Sequence, residues 1–473
     1  MLTAEPDPSD AVDAILSREL EQLSFQDFQA IHEEVHGVRT LAPEENSALW
    51  RASLECLATE LAILRPRHTV YDQACRISNS YVNESGFRLR FLRAESFDAK
   101  KAAARLVAFL ELAYEFYGPL VLQRPIQFSD LTKQEADMLR DGELQPLPFR
   151  DRSGRRVLVA LGTFYMQYPL EMRIKVNLYL HWAISEDVET QQKGLVGVFC
   201  WPCGESASTV LQNMMIPKPG SRDCKYAGKL FAAMPLRLVA VHLCFPNSLA
   251  YNCLRSGLAL TMGDKRSRLR FHCGDCVETQ YNLQGYGIPT DQLPITDSGN
   301  IKTKYFHQWI RVRKSLESGG SSVGKPGSSA NASTIECPGM NDVIFRCGQA
   351  YLCHPGNVMF RGLIESKYED HNQADISKSK VAITWWIMEQ VEQRNGRFLI
   401  WDNGCWELMT DRQQIRLKVA SAFKDHKRRL RAHLNCQVNE SSTHKFERQD
   451  GKKRKRQDDS SESGSNCFKL LNN

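Results

Sequence analysis

A nearly unbroken apolar run, Leu236 to Phe245, is interrupted only by Arg237 and His242 and stops at Pro246-Asn247. Such a run predicts a strand buried on both faces, as in a parallel or mixed sheet covered by helices. A helix-like stretch follows from Ser248 to Met262, then a short strand, Leu269–Cys273, then a Gly/Pro-rich exit ending at Gly299. Strand, helix, strand is the order of a βαβ unit. Two further strands, Arg156–Leu161 and Gly194–Trp201, flank a predicted helix, Met172–Ser185. Upstream the period changes. Ile15, Leu16, Leu20 and Leu23, then Leu54, Leu57, Leu61 and Leu64, recur at helical spacing and predict helices over 11–64, ended by Arg65-Pro66. From Gly86 to Gly118, two helices are expected to meet at a turn around Glu95–Asp98, with Ser96 or Asp98 capping the second.

Residues 315–340 are rich in Gly and Ser and read as a flexible linker. Beyond it, helices are predicted over Val358–Tyr368 and Lys378–Arg394, the latter capped by Gly396. Arg397–Trp401 and Cys405–Leu408 read as a hairpin turning at Asp402-Asn403-Gly404, followed by a helix from Asp411 to His426. The expected organisation is a disordered start over 1–10, a helical lobe over 11–125, a sheet domain over 126–312, a linker over 313–340, a small α+β domain with its own core over 341–434, and a low-complexity tail over 435–473.

Composition narrows this little. The chain has 473 residues, 42% hydrophobic and 25% charged, as in an ordinary globular protein of two or three domains. The net charge of +6 is mild, and 11 Lys and Arg lie between Lys427 and Arg456 against three acids, so the body is not a strongly basic nucleic-acid surface. No apolar run is long enough for a transmembrane helix, and the acidic start MLTAEPDPSD does not read as a signal peptide. Fifteen cysteines without a secretory signal predict free thiols in a reducing compartment, cytoplasmic or nuclear.

Three stretches together resemble the CRAL-TRIO lipid-binding family over roughly residues 50–310. They are Leu89-Arg90-Phe91-Leu92-Arg93-Ala94 with Phe97-Asp98 and Ala102, the central strand, and the exit Tyr286-Gly287-Ile288-Pro289, Leu293-Pro294 and Gly299. The resemblance implies an α/β fold: a mixed sheet with a helical N-terminal lobe and an apolar pocket under a movable helix. That gate would fall in Ser206–Leu230, where Val210, Leu211, Met214 and Met215 are apolar and soft. With Val239, Val241 and Leu243 of the central strand, they form the expected lipid-binding set. The family's phosphoinositide binders carry Tyr-Pro-Glu-Arg where this chain has Met234-Pro235-Leu236-Arg237. The acid is lost, and with it the case for that headgroup.

The C-terminal part resembles an algal domain of unknown function through Asn341-Asp342-Val343, Gly348, His354-Pro355-Gly356-Asn357, Phe360-Arg361, Gly396–Leu399 and Trp406. His354, Asn357, Arg361, Lys378, Lys380 and Arg397 are candidate contacts to a protein or nucleic-acid partner, although His-Pro-Gly-Asn also reads as a capping turn with Asn357 as N-cap. Lys452, Lys453, Arg454, Lys455 and Arg456 suit a nuclear import signal or contact with an anionic surface.

Enzymatic readings are weak. Cys200-x-x-Cys203 and Cys273-x-x-Cys276 have redox or zinc spacing but lie far apart in sequence. No Ser-His-Asp order, carboxylate pair or P-loop is evident, and His242 reads as a core histidine. The expectation is therefore a non-catalytic protein, without cofactor, that binds, transfers or senses a lipid or other hydrophobic small molecule. Transient membrane contact and a partner-recruiting C-terminal module would go with that role. The alternative is a nuclear regulator whose C-terminal domain binds nucleic acid.

Overall fold

The computed structural model describes residues 24–161, 168–200, 222–246, 263–296, 299–319, 334–346, 349–374, 377–402 and 405–431. The chain divides into two compact units. One holds residues up to Val358 together with Val391–Met409, and the other holds Met359–Gln390 together with residues from Thr410 on.

In the first unit, helices α1 (Phe25–Val35), α2 (Ser47–Leu64), α3 (Thr69–Arg76), α4 (Ser85–Ala94), α5 (Ala99–Tyr117), α6 (Leu120–Gln123) and α7 (Lys133–Arg140) precede the sheet. Local chemistry fixes several ends. Asn46 accepts the N–H of Leu49 at 2.8 Å and Asp98 that of Lys101 at 3.0 Å, while Thr132 and Glu135 close a reciprocal capping box on α7. The helical reading of 11–64 is interrupted, because 36–46 is not helical between α1 and α2.

The sheet holds β1 (Leu144–Pro146), β2 (Arg156–Leu161), β3 (Leu195–Cys200), β4 (Leu238–Phe245) and β5 (Leu269–Cys273) in sequence order. β1 runs antiparallel to β2, and β2 through β5 are parallel, so the sheet is mixed and the fold α/β. Helices α8 (Leu170–Ile184) and α9 (Val188–Lys193) connect β2 to β3, α10 (Arg222–Ala233) precedes β4, and α11 (Cys276–Gly285) and α12 (Lys304–Gly319) follow β5. One sheet face carries Leu158 and Leu195 into a core with α2, α4, α5, α8 and α12. The other carries Val157, Val159, Val196, Val198 and Ala240 against Val35 of α1 and Leu283, Ile288 and Leu293 of the exit. The central strand is thus buried on both faces, as its apolar run requires.

A second sheet, in the order β6 (Thr334–Ile335), β9 (Cys405–Leu408), β8 (Phe398–Asp402), β7 (Val343–Phe345), belongs to the same unit. Phe149, from the turn after β1, sits in its core with Ile344, Tyr351, Leu399 and Trp406. The boundary expected at 313 falls inside α12, and residue 334 is already in a strand. The small sheet therefore completes its core with a residue from the first domain rather than standing alone. The short helix α13 (Gln349–Leu352) leads into α14 (Pro355–Ser366).

The second unit comprises the C-terminal part of α14, α15 (Tyr368–Gln373), most of α16 (Ser377–Glu392) and a helix over 412–431. Phe360, Ile364, Ile387, Met388, Ile415, Val419 and Phe423 are buried, and His371 stacks on Phe423 with ring centres 4.1 Å apart. Among the described residues no helix is long and apolar enough to cross a membrane.

Candidate ligand face and signature cluster

Strand register aligns the apolar residues of β4 with those of its neighbours. Val241 lies between Gly197 and Leu269, and Leu243 between Phe199 and Phe271. Leu158 and Ala160 extend the same face onto β2. At the starts of the strands the helical layer seals this face. Towards their C-terminal ends Ala160, Phe199 and Phe271 stay partly exposed, while Val239, Val241 and Leu243 are buried. Crevices outside the C-terminal ends of parallel strands are where open α/β sheets bind ligands.

Of the expected gate, Val210, Leu211, Met214 and Met215 lie outside the described residues, as does the helix expected over 248–262. The part that is described, Arg222–Leu230, belongs to α10 and is docked on α5. Tyr226 donates to Glu115, Lys229 pairs with Glu115 at 3.1 Å, and Arg105 donates to the carbonyls of Phe231 and Met234 at 2.9 Å.

At the N-terminal end of β4, Arg237 and Arg268 converge on Glu34 of α1, which is 1% exposed. Burial pushes the Glu34 carboxyl up, but the two guanidinium groups outweigh it and hold it below the usual range. Arg237 is therefore committed to fastening α1 onto the sheet. Sequence reading missed Glu34, because one acid on an amphipathic helix looks solvated. On the face opposite Val241, His242 is fully buried, with its Nδ1 3.0 Å from Nε2 of His272 and its ring edge-on to Tyr286. Burial first, then His272, lowers its pKa well below the usual histidine value, so it is neutral.

The His-Pro-Gly-Asn residues form a structural knot. Asn357 is not an N-cap: α14 already starts at Pro355, and the Asn357 carboxamide accepts the N–H of Ile344 at 2.8 Å and donates to the carbonyls of Ile344 and Tyr351 at 2.9 Å. His354 is buried, and its pKa is pushed down to about 4 by burial against the pull of Asp342. A Cβ on Gly356 would stand 2.0 Å from the Asp342 carbonyl. Asp342 accepts from the N–H of Gly339 at 2.7 Å and from both the backbone and the guanidinium of Arg397. The left-handed residue ending α16 is Asn395, at φ 57°, not Gly396. Gly396 is instead needed because a Cβ there would meet the Asn341 carbonyl at 2.4 Å.

Of the expected partner contacts, His354 and Asn357 are buried in internal packing, while Arg397 pairs with Asp342 through a side chain that stays partly exposed. Arg361, Lys378 and Lys380 lie in the second unit, with Lys378 exposed. Lys452, Lys453, Arg454, Lys455 and Arg456 lie outside the described residues. So does Cys203, while Cys200 is buried and Cys273 exposed. Among the described residues no group of three or more His, Cys, Asp or Glu could hold a metal ion.

Comparison of the whole chain with curated proteins finds no match. Residues 342–425 match the model of a family described as a domain of unknown function (DUF6824), and the signature cluster described above opens that segment.

Proposed function

We propose that the first unit binds one hydrophobic or amphiphilic small molecule without transforming it, as its CRAL-TRIO resemblance implies. The observation that carries this reading is the continuous apolar face running along β2, β3, β4 and β5, sealed by helices at the strand starts and partly exposed at Ala160, Phe199 and Phe271. These side chains offer burial rather than chemistry, and burial suffices: each methylene removed from water contributes about 0.8 kcal/mol. The commitment of Arg237 to Glu34 favours an apolar ligand over a phosphoinositide headgroup at that end of β4. This reading expects an intracellular carrier or sensor, cytoplasmic or nuclear. Native mass spectrometry after incubation with a total lipid extract tests it. A discrete adduct supports the reading and identifies the ligand, whereas no adduct from any extract rejects it.

A second reading has its own observation. The helix over 412–431 carries eight Lys and Arg against one Asp, which suits an anionic partner such as nucleic acid. Fluorescence anisotropy with duplex DNA across a salt series tests it, and a flat salt response at any protein concentration rejects it.

A further inference from the structure

One of the two Cys-x-x-Cys pairs has a structural setting that its spacing alone does not give. Cys273 is the last residue of β5, and Cys276 is the first residue of α11. Cys273 is exposed, Cys276 is partly exposed, and neither is in a disulfide. In the other pair Cys200 is buried and Cys203 lies outside the described residues. A dithiol at the junction of a strand and a helix is the context in which Cys-x-x-Cys spacing supports thiol–disulfide exchange.

The junction is pinned on both sides. The chain bends at Gly274, whose N–H donates to the Phe245 carbonyl of β4 at 3.1 Å. Asp275 caps α11 by accepting the N–H of Glu278 at 2.8 Å. A disulfide needs Cα atoms roughly 4.4–6.8 Å apart, a span that one bend can close between residues at i and i+3. Val277 and Tyr281, further along the same helix, are 75% and 77% exposed, so the outer side of the junction is open to a reagent. Cys244 on the neighbouring strand is buried, as is Cys200, so a reagent arriving here meets Cys273 and Cys276.

We propose that Cys273 and Cys276 form a reversible redox dithiol that exchanges with small-molecule disulfides of the glutathione class. The exposed Cys273 thiolate attacks one sulfur of the oxidant. The oxidant's S–S bond breaks, a mixed disulfide forms on Cys273, and one small thiol leaves. The Cys276 thiolate then attacks the Cys273 sulfur, closes the Cys273–Cys276 bond and releases the second small thiol. Two protein thiols lose two electrons and two protons, and the oxidant's disulfide becomes two thiols. The site does not rest on the ligand reading of the apolar face.

The test incubates the full chain with glutathione disulfide, blocks the remaining thiols with iodoacetamide and maps the peptides by mass spectrometry. The expected product is a peptide holding Cys273 and Cys276 that is two hydrogens lighter and carries no glutathione. Excess reduced glutathione should return it to two thiols. Cys276→Ser removes the resolving thiol and should raise the glutathione retained on Cys273 at least tenfold over the wild type, at an unchanged unfolding temperature. Iodoacetamide labelling of both cysteines after oxidation, or equal glutathione on Cys273 in the wild type and in Cys276→Ser, would overturn the proposal. So would a main product that links either cysteine to a different one.

Discussion

The carboxylate of Asp342 accepts both the backbone N–H of Arg397, at 2.9 Å, and its guanidinium, at 2.7 Å. This pair ties the strand after the family-matched segment begins to the strand that follows α16. Asp342 is 2% exposed, whereas the Arg397 side chain is 41% exposed. Removing the acid strands buried N–H donors, and removing the arginine does not. Asp342→Ala should therefore cost roughly 2–3 kcal/mol, and Arg397→Gln about 1 kcal/mol or less. Urea unfolding followed by tryptophan emission checks the order of the two.

Gly356 packs against the same residue. Gly356→Ala would force the backbone apart, since the added Cβ would stand 2.0 Å from the Asp342 carbonyl. A loss of about 3 kcal/mol or more is expected, at the upper end of overpacking costs. Near-ultraviolet circular dichroism should show the environment of Trp406 disturbed.

Glu34 holds two arginines that are 7% and 15% exposed. Glu34→Gln leaves both cations without their counter-ion and should cost about 3–5 kcal/mol. Hydrogen exchange would report the release of α1 from the sheet. Arg268→Lys should cost less, because Glu34 keeps Arg237.

Acid should destabilise the fold before carboxylates titrate in bulk. Burial pushes the pKa of His181, His272 and His354 down to about 4, from a value near 6.5 when unfolded. The unfolded chain then binds protons that the folded chain does not. The stability contributed by the neutral histidines is complete above pH 6.5 and is lost as pH falls from 6.5 towards 4. A shift of this size corresponds to roughly 3 kcal/mol per site. Glu143, whose carboxyl burial pushes up to about 7, opposes this in the same window, so unfolding temperatures measured from pH 7.5 to 4.5 should show a net fall smaller than the histidines alone would give, and His354→Gln should flatten part of that slope.

Long, strongly patterned elements were legible in the sequence. The run at 236–245 gives β4 almost to the residue, and Asp98 marks the start of α5. β1 was not legible, because Leu144-Gln145-Pro146 is too short to show a period. The Asn357 cap failed for a physical reason. Asn favours N-caps, but Pro355 at the first helical position starts α14 earlier and turns the carboxamide onto β7. Nor could a local pattern disclose that Phe149 completes the small sheet's core, since that contact joins residues some two hundred positions apart.

The most direct test of the carrier reading is equilibrium binding of a fluorescent acyl-chain probe to the purified full chain, with Phe199→Gln and Phe271→Gln alongside. Saturable one-to-one binding, weakened about tenfold in both variants while their unfolding temperatures hold, is the result expected. Binding that never saturates, or that is unchanged in both variants, would contradict a ligand seated on the apolar face of β3, β4 and β5.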